Sequence, residues 1–160
     1  MSKRQKTQAP ILVPVDFSPH SAAALVWAAK MSDCLGAPLR VLHVAHDPES
    51  APGYYVRSKR KKHLRRIEEA AAEMMAEFLA QVAKDNPHIE PLQDLESMLV
   101  LGIPVTRILE IADRIGASAI VMGSQGRTGL PHLLLGSKAE RVAQLSPVPV
   151  TIVKGPTKGS

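Results

Sequence analysis

The sequence predicts an α/β domain: a doubly wound parallel sheet of five strands with helices on both faces. Three observations predict it. Short apolar runs at Ile11–Val15, Ser118–Met122 and Val148–Val153 read as strands buried on both faces, and Leu39–Ala45, which alternates, and Leu92–Leu101, of more modest pattern, as two more strands. Helical patterns separate these runs, and a βαβαβαβαβ order implies right-handed crossovers between parallel strands. Composition agrees: 160 residues suit one domain, and a 45% hydrophobic content with only two Phe, two Tyr and one Trp demands an aliphatic core.

Each element has its own signal. The first strand runs into Asp16-Phe17-Ser18-Pro19, where Ser18 is a good N-cap and Pro19 fits the first helical position. The helix that follows is apolar on most of its circumference (Ala22, Leu25, Val26, Ala29) and closes at Leu35 before Gly36. Leu39 to Ala45 forms the second strand, in which His43 reads as a satisfied sheet residue. From about Lys59 the period turns helical, with Leu64, Ile67, Ala71, Met74, Phe78 and Val82 on one face, and Met74 and Met75 read as core filling. Asn86-Pro87 ends this longest helix. Leu92 to Leu101 is the third strand, Gly102 turns the chain, and Pro104 opens a helix with Val105, Ile108, Leu109, Ala112 and Ile115 inward, ending at Gly116. After the fourth strand come a loop, a helix from Ser137 to about Leu145, and the last strand.

The chemistry concentrates at the carboxyl ends of the first and fourth strands. Ligands of such sheets bind there, where strand order reverses. A carboxylate at the end of a buried strand needs partners, so Asp16 either caps the helix start beside Ser18 or faces a ligand's polar groups or a metal. After the fourth strand, Gly123 and Gly126 precede Gly136-Ser137, the start of a helix. Glycines permit close approach to the backbone and positive φ, and a helix N-terminus offers unpaired N–H groups to an anion. The loop reads as a phosphate cradle, although it is neither G-x-x-x-x-G-K-[ST] nor G-x-G-x-x-G.

The spacing of these residues, glycine, two residues, glycine, nine residues, glycine, serine, resembles the nucleotide-binding motif of the ATP-binding branch of the universal stress protein family. ILVPVDFSPHSAAAL at Ile11 to Leu25, LRVLHV at Leu39 to Val44 and SPVPVTIVK at Ser146 to Lys154 resemble that family's first strand and helix start, second strand and last strand. The resemblance implies one domain over residues 10–154, between a basic tail at 1–9 and a short tail at 155–160. It also implies an adenine nucleotide alpha hydrolase-like fold with strand order 3-2-1-4-5.

By the same resemblance the ligand is ATP or AMP, with Mg²⁺ accompanying ATP and Asp16 beside that metal. Pro14, Val15, Asp16 and Ser18 would line the site, backbone groups of Val44 would meet the adenine edge, and Met122 and Gly123 would lie near the adenosine. Ser124, Gly126, Gly136 and Ser137 would hold phosphates, with Arg127 and Lys138 adding charge. Two departures stand out: Ile103 replaces the family's usual polar cap, and Lys138 replaces an apolar or small residue. The resemblance further implies a homodimer through the final strand, Val148 to Val153, since an exposed apolar edge is an open template. Two other readings remain open, a slow ATPase or phosphotransferase and a ligand-free scaffold. The first lacks an evident base and nucleophile, and the intact motif argues against the second.

The remaining features narrow the function class. The net charge of +5 comes from local excesses in the N-terminal tail and in the segment Arg57 to Arg66. Glu68, Glu69 and Glu73 follow that run, and Tyr54 and Tyr55 are the only aromatics beside it, so nucleic-acid binding is not expected. No apolar run approaches a membrane span and no signal segment is evident, which leads to the expectation of a cytoplasmic protein. The lone Cys34, set in a helix of small residues, is expected to be a buried, inert thiol.

Overall fold

In the computed structural model the chain is described over residues 8–46, 57–126 and 135–156, with the backbone alone at 57–61. Five parallel strands form one sheet in the order β3-β2-β1-β4-β5. They are β1 (Ile11–Pro14), β2 (Leu39–Ala45), β3 (Glu96–Leu101), β4 (Ala119–Gly123) and β5 (Val150–Val153). Ile11 pairs with Leu39 on one side and Ala119 on the other, so β1 is central. Its four residues are all buried, which is why the run shows no alternation.

Helices α1 (Pro19–Leu35) and α2 (Arg57–Asp85) cover one face, and α3 (Pro104–Arg114) and α4 (Ser137–Leu145) the other. On the first face Leu25, Ala28 and Ala29 of α1 join Ile11, Val13, Val41 and Val121, with Met75 and Val82 of α2. On the second, Ile108, Ile111 and Ala112 of α3 and Ala139 and Val142 of α4 enclose Leu12, Leu42 and Ile120. The two apolar sets are the alternate residues of the same strands. Gly36 closes α1 in the left-handed conformation (φ 65°) that glycine adopts without cost.

Four expectations need correction. The third strand is shorter than Leu92 to Leu101: Glu90–Leu92 form a 3-10 turn, closed by Gln93 N–H donating to the Glu90 carbonyl, and β3 begins at Glu96. The last strand begins at Val150 rather than Val148, because Ser146 Oγ bonds both the carbonyl and the amide of Val148 in a tight turn. Cys34 is exposed, on the α1 surface that also leaves Trp27 and Leu35 in solvent. Met74 is 36% exposed while Met75 is buried, so only one of the adjacent pair fills the core.

After β5 the chain folds back onto α1. Gly155 N–H donates to His20 Nδ1 at 3.0 Å, which leaves the imidazole proton on Nε2. Among the described residues no helix is long and apolar enough to cross a membrane.

Candidate functional site

The carboxyl ends of β1, β2 and β4 open into a cavity of about 750 Å³, a size typical of small-molecule sites. β1 and the turn after it contribute Pro14, Val15, Asp16 and Phe17; β2 contributes His43, Val44 and Ala45. Met122, Gly123, Gln125 and Gly126 line it from β4 and its loop, and Gly136, Ser137 and Lys138 from the start of α4. Of the residues singled out in the sequence, ten are thereby brought to one space.

Three are not. Ser18 is buried as the N-cap of α1, its Oγ accepting from Ser21 N–H at 3.1 Å. Ser124 is buried too, its N–H donating to the Val153 carbonyl at 2.9 Å and its carbonyl accepting from Gly136 N–H at 2.6 Å. Arg127 lies outside the described residues, as does the Tyr54-Tyr55 pair.

Asp16 caps the helix start and also reaches the cavity. Its Oδ1 accepts from Ser18 N–H at 3.1 Å, capping the turn before α1, while the half-buried carboxylate also lines the cavity. The described glycines of the loop act through space rather than through a positive φ. Among the described glycines only Gly36, Gly102 and Gly116 are left-handed. A Cβ at Gly126 would stand 2.9 Å from Asp16 Oδ2, and one at Gly123 would stand 2.7 Å from the His20 carbonyl carbon. Gly126 thus makes room for the site's carboxylate, and Gly123 lets β4 pack against the backbone of α1.

Of the helix N-termini at this edge, those of α1 and α4 differ in their satisfaction, and that of α3, with Ile103 as N-cap, also lacks a side-chain cap. That of α1 is closed by the side chains of Ser18 and Asp16. That of α4 has Gly136 as its N-cap and no side-chain cap. Its first helical bond is Glu140 N–H to the Gly136 carbonyl, 2.9 Å, so among the described residues the amides of Ser137, Lys138 and Ala139 precede the ladder, where an anion is stabilised. The amide of Gly136 is already engaged by Ser124.

Sequence reasoning missed the lining that comes from Ile67, Ala71 and Met74 of α2 and from Pro104 and Ile108 of α3. The residues at 67, 71 and 74 belong to the stripe read as core. Its N-terminal half overhangs the cavity, and nothing in the 3.6-residue period distinguishes the two halves. Phe17 was missed as well. It is the one non-glycine residue with positive φ (66°) among those described, a conformation costing about 1–3 kcal/mol. Its ring lies 4.2 Å from that of His43 and 5.5 Å from that of Phe78 on α2. His43 is the satisfied sheet residue expected, Nδ1–H donating to the Val15 carbonyl at 2.7 Å, and it also faces the cavity.

Comparison with known proteins agrees with this architecture. The model of the Universal stress protein family matches residues 9–154. The universal stress protein YxiE of Bacillus subtilis is 32% identical to the chain, with 90% of this chain and 97% of YxiE covered. Among solved structures, universal stress protein UspA from Lactobacillus plantarum superposes with a TM-score of 0.74 at 24% identity, covering 91% of this chain and 97% of that one. A universal stress protein from Archaeoglobus fulgidus in complex with dAMP superposes with a TM-score of 0.59 at 23% identity, covering 92% and 98%.

Proposed function

Because the chain belongs to the universal stress protein family, we propose that it binds an adenine nucleotide, ATP or AMP, in the cavity between β1 and β4. Occupancy of that site then sets what the protein presents to partners during a stress response. The observation that carries this reading is the open N-terminus of α4, with Gly126 and Ser137 beside it, at a cavity that is also lined by the apolar Ile67, Ala71 and Met74 of α2. One end suits phosphates and the other a flat base. The dAMP bound by the Archaeoglobus relative has the same two chemical halves.

In this reading the base lies toward Val44, Met122 and the α2 wall, and the phosphates toward Gly126, Ser137 and Lys138. Among the described residues no group of three or more His, Cys, Asp or Glu side chains stands ready for a metal ion. In this reading Mg²⁺ accompanies ATP, with Asp16 beside it. Native mass spectrometry of the chain purified from cells tests the reading, with co-purified ATP or AMP at one per chain as the expected result. A bare mass that millimolar ATP leaves unchanged would contradict it.

Ser137→Ala is expected to weaken ATP binding by about ten- to a hundred-fold, since a hydrogen bond to a charged group contributes roughly 1.5–3 kcal/mol and the α4 amides remain. AMP is expected to lose less, having no outer phosphates. Titration of both ligands into the variant reads the difference. Equal losses would place the hydroxyl elsewhere.

Replacing Lys59 to Lys62 with serines is expected to leave ATP affinity within about two-fold at physiological salt, because exposed charges are screened over about 8–10 Å. Lys62, Arg65 and Arg66 are exposed. A large, salt-dependent loss would instead make this run part of a polyanion site.

The reading includes a homodimer through β5, which pairs with β4 on one side only. Val150 and Ile152 pack on the α3–α4 core, so lysines there would perturb the fold along with any contact. The informative measurement is the oligomeric state of the unmodified chain. Sedimentation at micromolar concentration is expected to show a dimer, and a monomer would refute it.

A further inference from the structure

We propose that His43 is a positioning residue for Asp16, holding the carboxylate in the cavity by gripping the residues on both sides of it. This rests on the nucleotide-binding reading above. The grip has two parts. Before Asp16, the Val15 carbonyl accepts from His43 Nδ1–H at 2.7 Å. After it, the Phe17 ring lies 4.2 Å from the imidazole at an interplanar angle of 31°.

One side chain of β2 therefore fixes both flanks of the turn that carries the carboxylate. The conformation it fixes is one the chain would not choose: φ of 66° at a phenylalanine puts Cβ too close to its own backbone. Such strain persists only where surrounding contacts over-determine it, and it gathers at functional sites. Here the contacts are the His43 ring at 4.2 Å and the Phe78 ring of α2 at 5.5 Å. The product is an Asp16 whose Oδ1 is held by Ser18 N–H and whose Oδ2 stands where a side chain at Gly126 would intrude. Without the grip, Phe17 is free to relax to negative φ, swinging the peptide plane that follows Asp16.

A double-mutant cycle tests whether His43 acts through Asp16. ATP·Mg²⁺ affinity is measured by calorimetry for the unmodified chain, Asp16→Ala, His43→Leu and the double variant. The expected losses are about ten- to a hundred-fold for Asp16→Ala and about ten-fold for His43→Leu, with the double variant no weaker than Asp16→Ala alone. Losses that multiply, or an unchanged affinity in His43→Leu, would overturn the proposal.

Two further variants cover a failure of His43→Leu to fold. His43→Asn keeps an N–H near the Nδ1 position and is expected to recover part of the lost affinity. Phe17→Gly relieves the left-handed strain, and is expected to fold while binding ATP several-fold more weakly; unchanged binding would count against the proposal. A crystal structure of the His43→Leu or His43→Asn variant supplies a readout that needs no nucleotide. Phe17 is expected at negative φ in His43→Leu, and retention of positive φ in both variants would overturn the positioning role. Absence of ATP binding by the unmodified chain would instead refute the nucleotide reading.

Discussion

The Gly126→Val variant is expected to lose ATP affinity by about a hundred-fold or more while remaining folded. Two effects add. A Cβ at this position comes within 2.9 Å of Asp16 Oδ2, so the carboxylate must move or the loop must withdraw. The branched side chain then occupies the passage between Asp16 and the open end of α4. Loss of one hydrogen bond to a charged group already costs roughly 1.5–3 kcal/mol, and steric exclusion of phosphate comes on top of it. Gly126 is exposed and lies beyond the end of β4, so the core is untouched. Calorimetry and thermal unfolding on one sample separate the two quantities: affinity should collapse while the melting temperature barely changes. Unchanged affinity would mean that the loop does not receive the nucleotide.

Gly123→Val is expected to do the reverse, acting first on stability. Its Cβ would meet the His20 carbonyl carbon at 2.7 Å and the carbonyl oxygen at 2.9 Å, backbone atoms of the first turn of α1 that cannot rotate away. Either β4 or α1 must shift, and α1 carries Ala24, Leu25, Ala28 and Ala29 into the core at 0% exposure. Overpacking of this kind costs about 1–3 kcal/mol, or a fall of about 3–10 °C in melting temperature for a chain of this size. Thermal unfolding monitored by circular dichroism reads it. A variant as stable as the parent would show that α1 and β4 are less tightly opposed than the structure indicates.

These neighbouring glycines show what was legible in the sequence and what was not. The alternation of apolar runs with helical periods carried the fold, because a strand buried on both faces has few alternatives to a Val/Ile/Leu run such as Ile11–Pro14. Local chemistry was legible too. The Ser18 cap, the Pro19 start and the Gly36 stop depend on residues within one turn of the chain. The reason for Gly123 was not legible, since its obstacle, His20, lies 103 positions away in sequence (123 − 20) and meets it only through the packing of α1 on β4.

The same limit applies to the site. The Asp16 turn and the α4 N-terminus announced themselves by residue type, and the central position of β1 brought them together. The wall from α2 did not, because Ile67, Ala71 and Met74 share one helical stripe with Met75, Phe78 and Val82, and only the overhang of the helix past β2 assigns the first three to the cavity. Phe17 carried no signal, because positive φ at a phenylalanine is imposed by its neighbours and not encoded in its type.

Photoaffinity labelling with 8-azido-ATP, followed by peptide mapping, tests the central claim most directly, because it reports where the base sits as well as whether it binds. Adducts are predicted on the peptides that carry Val44–His46, Ile67–Met74 or Met122–Gly123, and excess ATP is predicted to suppress them. Labelling confined to the basic run Arg57 to Arg66, or label that ATP fails to displace, would contradict an adenine site between β1 and β4.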